Sequence, residues 1–295
     1  MKFFNHKYPR SAAELSSDVA AASEQHLWSK YAPAERLLSA KDLIITMGSC
    51  FARNLGEALG RRGLHGKAYR VHEEANSPLL NELLLECLTS EKPSLAAVEL
   101  FQAEISADAR QSFLTDLKEA TAFILTVGVG ICCYEKQSGK LVIRPNAREH
   151  YDCAWRVIDP QEATDSIRRF VERLREINPM LDIIVTVSPV PLFRSFQTPS
   201  ALVEDCLSKS TLRLAVHNVI EADPTISYWP TFEFFRWLGS HTGPVFGAED
   251  NLPRHPNREH VQIAVDAFVR HFFDSVPEAP AGDARASETV LIADN

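Results

Sequence analysis

The sequence lacks the long apolar runs and the basic blocks that are typical of membrane proteins and nucleic-acid-binding proteins. No apolar run reaches the length of about 20 residues that a transmembrane helix needs. The formal net charge is -8 and the lysines and arginines do not cluster, which argues against a nucleic-acid groove or a polybasic membrane patch. The first residues turn polar too soon for a signal peptide. We therefore predict a cytoplasmic protein with no membrane span and no nucleic-acid partner.

The cysteines and glycines lack the spacings that disulfides, metals and dinucleotides require. The six cysteines match neither a disulfide framework nor a paired CxxC metal site, so free thiols are available for chemistry. Cys132 and Cys133 are adjacent but have no His/Cys partner pair at ligand spacing. Gly128 and Gly130 form a G-x-G pattern without the third glycine and the helix of a dinucleotide fingerprint. We predict that the protein binds no metal and needs no cofactor.

Short apolar runs that alternate with helical patterns make up most of the chain. The runs predict strands at residues 42–47, 67–72, 122–127, 182–187 and 226–229. Apolar residues at helical spacing predict helices within residues 51–62, from 78 onward, and within 160–177, 207–220 and 258–273. Such alternation is typical of a parallel sheet that is covered by helices on both faces.

The regions outside this alternation suggest the domain organisation. Residues 1–40 predict an N-terminal arm with one short helix near residues 12–22. Residues 41–275 form one domain, interrupted at about 131–160 by an insertion that contains a hairpin and a surface loop. Residues 276–295 are rich in Pro, Ala, Gly, Asp and Ser, which predicts a disordered tail.

Cys50 lies where a predicted strand turns directly into a helix. A thiol at a helix N-terminus is favoured as the thiolate, and the free N–H groups there can stabilise an oxyanion. Ser49 is the competing nucleophile, one residue earlier. The alternative interpretation is that these small residues only permit a tight turn, and the residues alone support both interpretations equally.

His255 is the best candidate for a base among the ten histidines. It lies in a polar loop directly before the last helix, and such a loop can reach the carboxyl ends of the strands, where ligands bind in parallel sheets. Asp250 in the same loop can orient the imidazole ring. His260 and His241 have weaker sequence contexts. The structural alternative for His255 is a solvated loop histidine.

The turn Gly48-Ser49-Cys50-Phe51-Ala52 resembles the signature of the GSCFA-domain family, a branch of the SGNH/GDSL hydrolase superfamily. Further matching segments lie at residues 178–179, 187–192, 208–213, 228–233 and 254–255, so the resemblance spans about residues 40–273. It implies an α/β fold, a flavodoxin-like three-layer α/β/α arrangement with a five-stranded parallel sheet. It also implies esterase or acyl-transfer chemistry.

The superfamily pattern Gly-Asp-Ser, laid on Gly48, puts Cys50 at the nucleophile position, and the block with the catalytic histidine matches His255. Two positions depart from the pattern. Gly130 stands where the superfamily has an oxyanion-hole asparagine, so we expect Asn76 to compensate, together with the N–H groups of Cys50 and Gly128. Leu252 stands where an aspartate usually lies, three residues before the histidine, and Asp250 is the candidate replacement.

The first functional hypothesis is an acyl-ester hydrolase or an O-acyltransferase that forms an acyl-enzyme at this turn. Its partner would be a small-molecule or carbohydrate acyl ester, with a separate acyl donor in the transferase case. The alternative is a non-catalytic carbohydrate-binding or scaffold protein with a degenerate site. A cysteine-based redox enzyme is a third option, although no resolving cysteine lies near Cys50 in the sequence.

Overall fold

The computed structural model describes residues 7–35, 37–48, 50–103, 105–143, 152–241, 243–275 and 288–293. Three regions with predictions attached to them therefore lie outside the described residues. These are the alternative nucleophile Ser49, the first part of the predicted loop in the insertion (144–151), and the tail segments 276–287 and 294–295.

A parallel sheet of six strands forms the centre of the molecule. Its strands are β1 (Ile44–Gly48), β2 (Gly66–Val71), β3 (Ala122–Val127), β7 (Asp182–Val187), β8 (Ser227–Tyr228) and β9 (Glu288–Ala293), in the spatial order β8-β7-β3-β1-β2-β9. Every neighbouring pair is parallel. Without β9 the order is 2-1-3-4-5 in chain order, which is the flavodoxin-like arrangement. The predicted fold class is confirmed.

The sixth strand is a correction to the predicted five-stranded sheet and to the predicted disordered tail. Residues 288–293 read Glu-Thr-Val-Leu-Ile-Ala, and they pair in parallel with the outer edge of β2. An unpaired strand edge exposes a row of backbone N–H and C=O groups, which this short apolar segment satisfies. The sequence prediction misses this strand because the segment before it is polar and the whole tail is assigned by its composition.

Helices cover both faces of the sheet. The helices are α1 (Ala12–Ser16), α2 (Val19–Ser23), α3 (Ser29–Tyr31), α4 (Cys50–Arg61), α5 (Pro78–Thr89), α6 (Leu95–Phe101), α7 (Ala107–Glu119), α8 (Pro160–Ile177), α9 (Ala201–Ala222), α10 (Thr231–Glu233) and α11 (Arg258–Phe272). Successive residues of β1 point to opposite faces, so Ile44 belongs to the apolar layer formed with α4 and α11, whereas Ile45 belongs to the layer formed with α5, α7, α8 and α9. These two apolar layers account for the continuous burial of β1. Among the described residues, no helix combines the length and the apolar character needed to span a bilayer.

The N-terminal segment adds to the core on the α4 and α11 side. Its predicted single helix is divided into α1 and α2, which are followed by a π-helical turn at Glu24–Trp28. Trp28 from this turn stacks on Trp229, with 4.6 Å between the ring centroids. The segment therefore packs against the end of β8 and does not stand apart from the domain.

The insertion forms a small antiparallel sheet beside the carboxyl end of β3. The predicted hairpin is present as β4 (Ile131–Glu135) and β5 (Leu141–Val142). A third strand, β6 (Cys153–Val157), pairs with the other side of β4. This strand corrects the prediction of a surface loop up to residue 160. Most of its residues are only partly buried, which explains why the sequence shows no apolar run there.

Candidate active site

The turn from β1 into α4 is possible only with glycine at position 48. Gly48 has a φ of 147°, and a Cβ built on it would lie 2.7 Å from the carbonyl oxygen of Thr126. The hydroxyl of Thr46 donates to the carbonyl of Ala52 at 3.0 Å, which fastens the first turn of α4 onto the strand below it. Cys50 is therefore held at the first position of α4, at the carboxyl edge of the sheet.

Cys50, His255 and Asp250 line one cleft of about 840 Å³. The structure thus brings together the predicted nucleophile, base and orienting acid from segments that are far apart in the sequence. Cys50 is half-buried and is one of the residues that line the cleft. The cleft lining is mainly charged or amide-bearing, and its apolar members are Val190, Pro256 and Val261.

Asp250 forms the predicted pair with His255. The Nδ1 atom of His255 lies 2.5 Å from Oδ2 of Asp250, and Oδ1 of the same carboxylate accepts the N–H of Leu252 at 2.9 Å. Both hydrogen bonds lower the pKa of Asp250, and the one from the backbone N–H of Leu252 has the larger effect. Asn251 adopts a positive φ of 60°, a turn conformation that lets a residue five positions before the histidine reach it. Asp250 is therefore hydrogen-bonded to Nδ1 of His255 although Leu252 stands three residues before the histidine.

Arg254 fastens the histidine loop to two other loops at the same edge of the sheet. Its Nε donates to the carbonyl of Pro191 at 2.8 Å, after β7, and its other guanidinium nitrogen pairs with Glu73, after β2. Arg236 supports the same region by donating to the carbonyl of Pro189 at 2.9 Å. Sequence reasoning assigned these arginines no role, and the only signal was the position of Arg254 inside a family-like motif.

Asn76 and Gly128 meet above the end of β1. The N–H groups of Gly128 and Val129 donate to the carbonyl of Asn76 at 3.2 and 2.9 Å. Asn76 follows β2 and Gly128 follows β3, and β1 lies between these two strands in the sheet. Since neighbouring strands are about 4.8 Å apart, this contact must pass over the carboxyl end of β1, beside the turn that carries Cys50. We call this contact the Asn76–Gly128 bridge.

The bridge changes the predicted oxyanion hole. The N–H of Gly128 is already donated to Asn76, so it is not available to a substrate, contrary to the prediction. The side chain of Asn76 remains a candidate donor, because its Nδ2 has no acceptor within the described part of the chain and the residue is fully buried. Asn81 donates its Nδ2 to Oδ1 of Asn76 at 3.1 Å, which fixes the orientation of that amide. A fixed amide with an unpartnered donor is the kind of group that can hold an oxyanion, and Asn76 itself is not among the residues that line the cleft.

Gly130, the other departure from the superfamily pattern, has a packing reason. Its N–H donates to Oγ of Ser208 at 2.8 Å, and a Cβ at this position would lie 2.6 Å from the carbonyl oxygen of Ser208. Helix α9 therefore approaches the backbone so closely that an asparagine does not fit. Asn76, which we predict to compensate, follows β2 on the other side of β1.

The remaining histidine and cysteine candidates lie elsewhere or are buried. His260 packs against the rings of Phe234 and Phe235, and burial lowers its pKa. Cys132 and Cys133 are buried in β4, and burial raises the pKa of each thiol to about 12. Over the described ranges, no group of three or more His, Cys, Asp or Glu side chains has the arrangement of a metal site.

The model of the GSCFA family matches residues 43–268. A GDSL-like lipase from Parabacteroides merdae ATCC 43184 is similar at 13% identity and a TM-score of 0.46, covering 81% of this chain and 99% of that chain. A carbohydrate esterase family 2 enzyme from Corynascus thermopiles (Myceliophthora fergusii) is similar at 13% identity and a TM-score of 0.45, covering 81% and 67%. The salicylyl-acyltransferase SsfX3 of a tetracycline biosynthetic pathway is similar at 17% identity and a TM-score of 0.41, covering 79% and 54%. A search among curated proteins finds no match to the sequence.

Proposed function

The chain belongs to the GSCFA family, and from the geometry of its cleft we propose that it is an acyl-ester hydrolase or O-acyltransferase. The observation that carries this proposal is the presence of Cys50 in one cleft with the hydrogen-bonded pair His255–Asp250. A thiol, a base and an acid that orients the base are the parts that nucleophilic acyl transfer requires.

In the proposed reaction the Sγ of Cys50 attacks the carbonyl carbon of the ester. His255, with its Nδ1–H donated to Asp250, accepts the thiol proton at Nε2. The negative charge that develops on the carbonyl oxygen is held by Nδ2 of Asn76 and the N–H of Cys50. Collapse of this intermediate forms a thioester on Cys50 and releases the alcohol, which takes the proton from His255.

Water or an acceptor hydroxyl resolves the thioester. His255 removes a proton from that hydroxyl, whose oxygen attacks the thioester carbonyl. The acid or the new ester then leaves, and Sγ of Cys50 regains the proton. Hydrolase and transferase differ only in the acceptor, and both use the same side chains.

The lining of the cleft supports a polar substrate with a short acyl group. Arginine, glutamate and amide side chains around Cys50 can bind hydroxyl groups, whereas three apolar residues are too few for a long acyl chain. We therefore propose an ester of a small polar carrier, such as a carbohydrate. A redox role receives less support, because no second cysteine is among the described residues that line the cleft.

The test is ester cleavage combined with labelling of the nucleophile. The protein would carry Cys206→Ser, which removes an exposed thiol that would otherwise react. We expect cleavage of p-nitrophenyl acetate and iodoacetamide labelling of one thiol in intact-mass spectra. Cys50→Ala should abolish the labelling and reduce cleavage by at least about 10,000-fold, whereas Ser49→Ala should keep both.

Two results would contradict the proposal. Labelling of Cys50 that does not exceed a denatured control, together with no cleavage of the ester, favours the non-catalytic carbohydrate-binding or scaffold alternative. Retention of cleavage in Cys50→Ala with its loss in Ser49→Ala, together with fluorophosphonate labelling of Ser49, would move the nucleophile to the serine.

A further inference from the structure

A buried lysine contacts the Asn76–Gly128 bridge. Lys209, on α9, is 2% exposed, and its Nζ donates to the carbonyl oxygen of Gly128 at 2.5 Å. The same peptide group donates the N–H of Val129 to the carbonyl of Asn76. The ammonium, one peptide group and Asn76 thus form a continuous chain of hydrogen bonds.

The charges around Lys209 are engaged with other partners. Asp205 accepts from Arg236 at 2.6 Å and from the N–H of Leu192 at 2.9 Å, while Glu73 pairs with Arg254. Burial lowers the pKa of Lys209 to about 8, with Asp205 and Glu73 acting to raise it and Arg236 and Arg254 acting to lower it.

A buried ammonium that is hydrogen-bonded to a neutral carbonyl is unfavourable compared with an apolar side chain of similar volume. Packing alone therefore does not account for a lysine at this position. The ammonium lies against the bridge at the carboxyl end of β1, beside the turn that carries Cys50, which indicates a role in the reaction at that turn.

We propose that Lys209 is a positioning residue whose ammonium holds the Asn76–Gly128 bridge and so presents the amide of Asn76 to the oxyanion. This inference rests on the proposed function. The positive charge polarises the Gly128–Val129 peptide group and strengthens the hydrogen bond that its N–H donates to Asn76. In a site of low dielectric the same charge also favours a nearby oxyanion.

The proposal predicts a specific pH dependence. Lys209 is protonated below its pKa of about 8 and loses its proton as the pH rises through that value. The bridge then loses its charged donor, so kcat should fall over this range. In Lys209→Met this decline should be absent, because no group titrates at that position.

The kinetic test uses two variants of Lys209 and one control. Lys209→Met should lower kcat by about 10- to 100-fold with little change in KM, which is less than the loss expected for an oxyanion donor itself. Lys209→Gln keeps a donor for Gly128 without the charge, so it should recover part of kcat but not the decline near pH 8. Lys67→Met is the matched control, since Lys67 pairs with Asp116 at 2.7 Å, away from the cleft lining, and it should keep kcat and the decline.

Hydrogen exchange at the amide of Val129 tests the bridge without using activity. In Lys209→Met this amide should exchange at least about tenfold faster than in the wild type, and in Lys67→Met it should not. Unchanged exchange in a folded Lys209→Met, or an unchanged kcat and pH profile, would overturn the proposal. If the wild type cleaves no ester, the proposed function fails, and the exchange result alone decides whether Lys209 holds the bridge.

Discussion

The candidate site has an exposed half and a buried half, and they are built differently. The exposed half is Cys50, His255 and Asp250, of which the side chains of His255 and Asp250 are 57% and 41% exposed. The buried half is Asn76, Gly128 and Lys209, which join three separate segments by hydrogen bonds above β1. Groups that exchange protons with substrate need access to it, whereas groups that stabilise charge act most strongly where water is excluded.

The largest expected effect lies in the exposed half. His255→Ala should lower kcat/KM for a small ester by at least about 10,000-fold, because it removes the base that activates Cys50. His65→Ala is the matched control: His65 is exposed and precedes β2, at the opposite end of the strands, and its loss should change the rate less than about twofold. A decrease smaller than about tenfold for His255→Ala would show that the exposed half does not contain the base.

The second effect tests the buried half. Asn76→Ala should lower kcat by about 100- to 1,000-fold with little change in KM, as for loss of an oxyanion donor. Asn81→Ala should also lower kcat, but by less, because it removes only the hydrogen bond that orients the Asn76 amide. If Asn76→Ala keeps its rate and thermal unfolding shows it folded, the buried half is only a scaffold, and the comparison between the two halves fails.

The two halves also differ in how far the sequence predicts them. Strands β3 and β7 have the predicted bounds, because buried parallel strands are continuous apolar runs that a sequence displays directly. The same pattern makes Cys50 and His255 candidates, since each lies at a strand or helix end that must face the carboxyl edge of the sheet, and the family resemblance then favours them over their alternatives. The residues of the exposed half can therefore be proposed from local sequence patterns together with the family signature.

The buried half depends on contacts that no local pattern displays. The bridge joins Asn76 to Gly128 across an intervening strand, and its consequence, that the N–H of Gly128 is occupied, requires the tertiary fold. Lys209 lies on a helix, and a lysine in a helix is normally expected to face solvent. The clash that excludes a side chain at Gly130 likewise arises from Ser208 on α9, far along the chain.

A third, smaller effect tests how exposed the histidine pair is during the reaction. Asp250→Asn should lower kcat/KM by about tenfold, because exposed ion pairs and hydrogen bonds contribute little. Glu99→Gln, which removes an exposed carboxylate paired with Lys140 at 3.0 Å outside the cleft lining, should change it less than about twofold. Buried aspartates of catalytic triads are worth about 10,000-fold in kcat. A loss of that size for Asp250→Asn would show that the loop closes over the substrate and that the pair is buried during the reaction.

The smallest expected effect concerns the position where the superfamily pattern has its aspartate. Leu252→Asp restores that pattern, yet kcat/KM should change less than about threefold, because Leu252 is half-exposed and Asp250 already occupies the Nδ1 atom of His255. The double variant Asp250→Asn, Leu252→Asp should keep the loss seen in Asp250→Asn alone. Recovery of the wild-type rate in the double variant would mean that the turn at Asn251 is not needed to place the acid. The exposed half would then be a loop that accepts an acid at either position, in contrast to the buried half, where the close approach of α9 leaves no such freedom at Gly130.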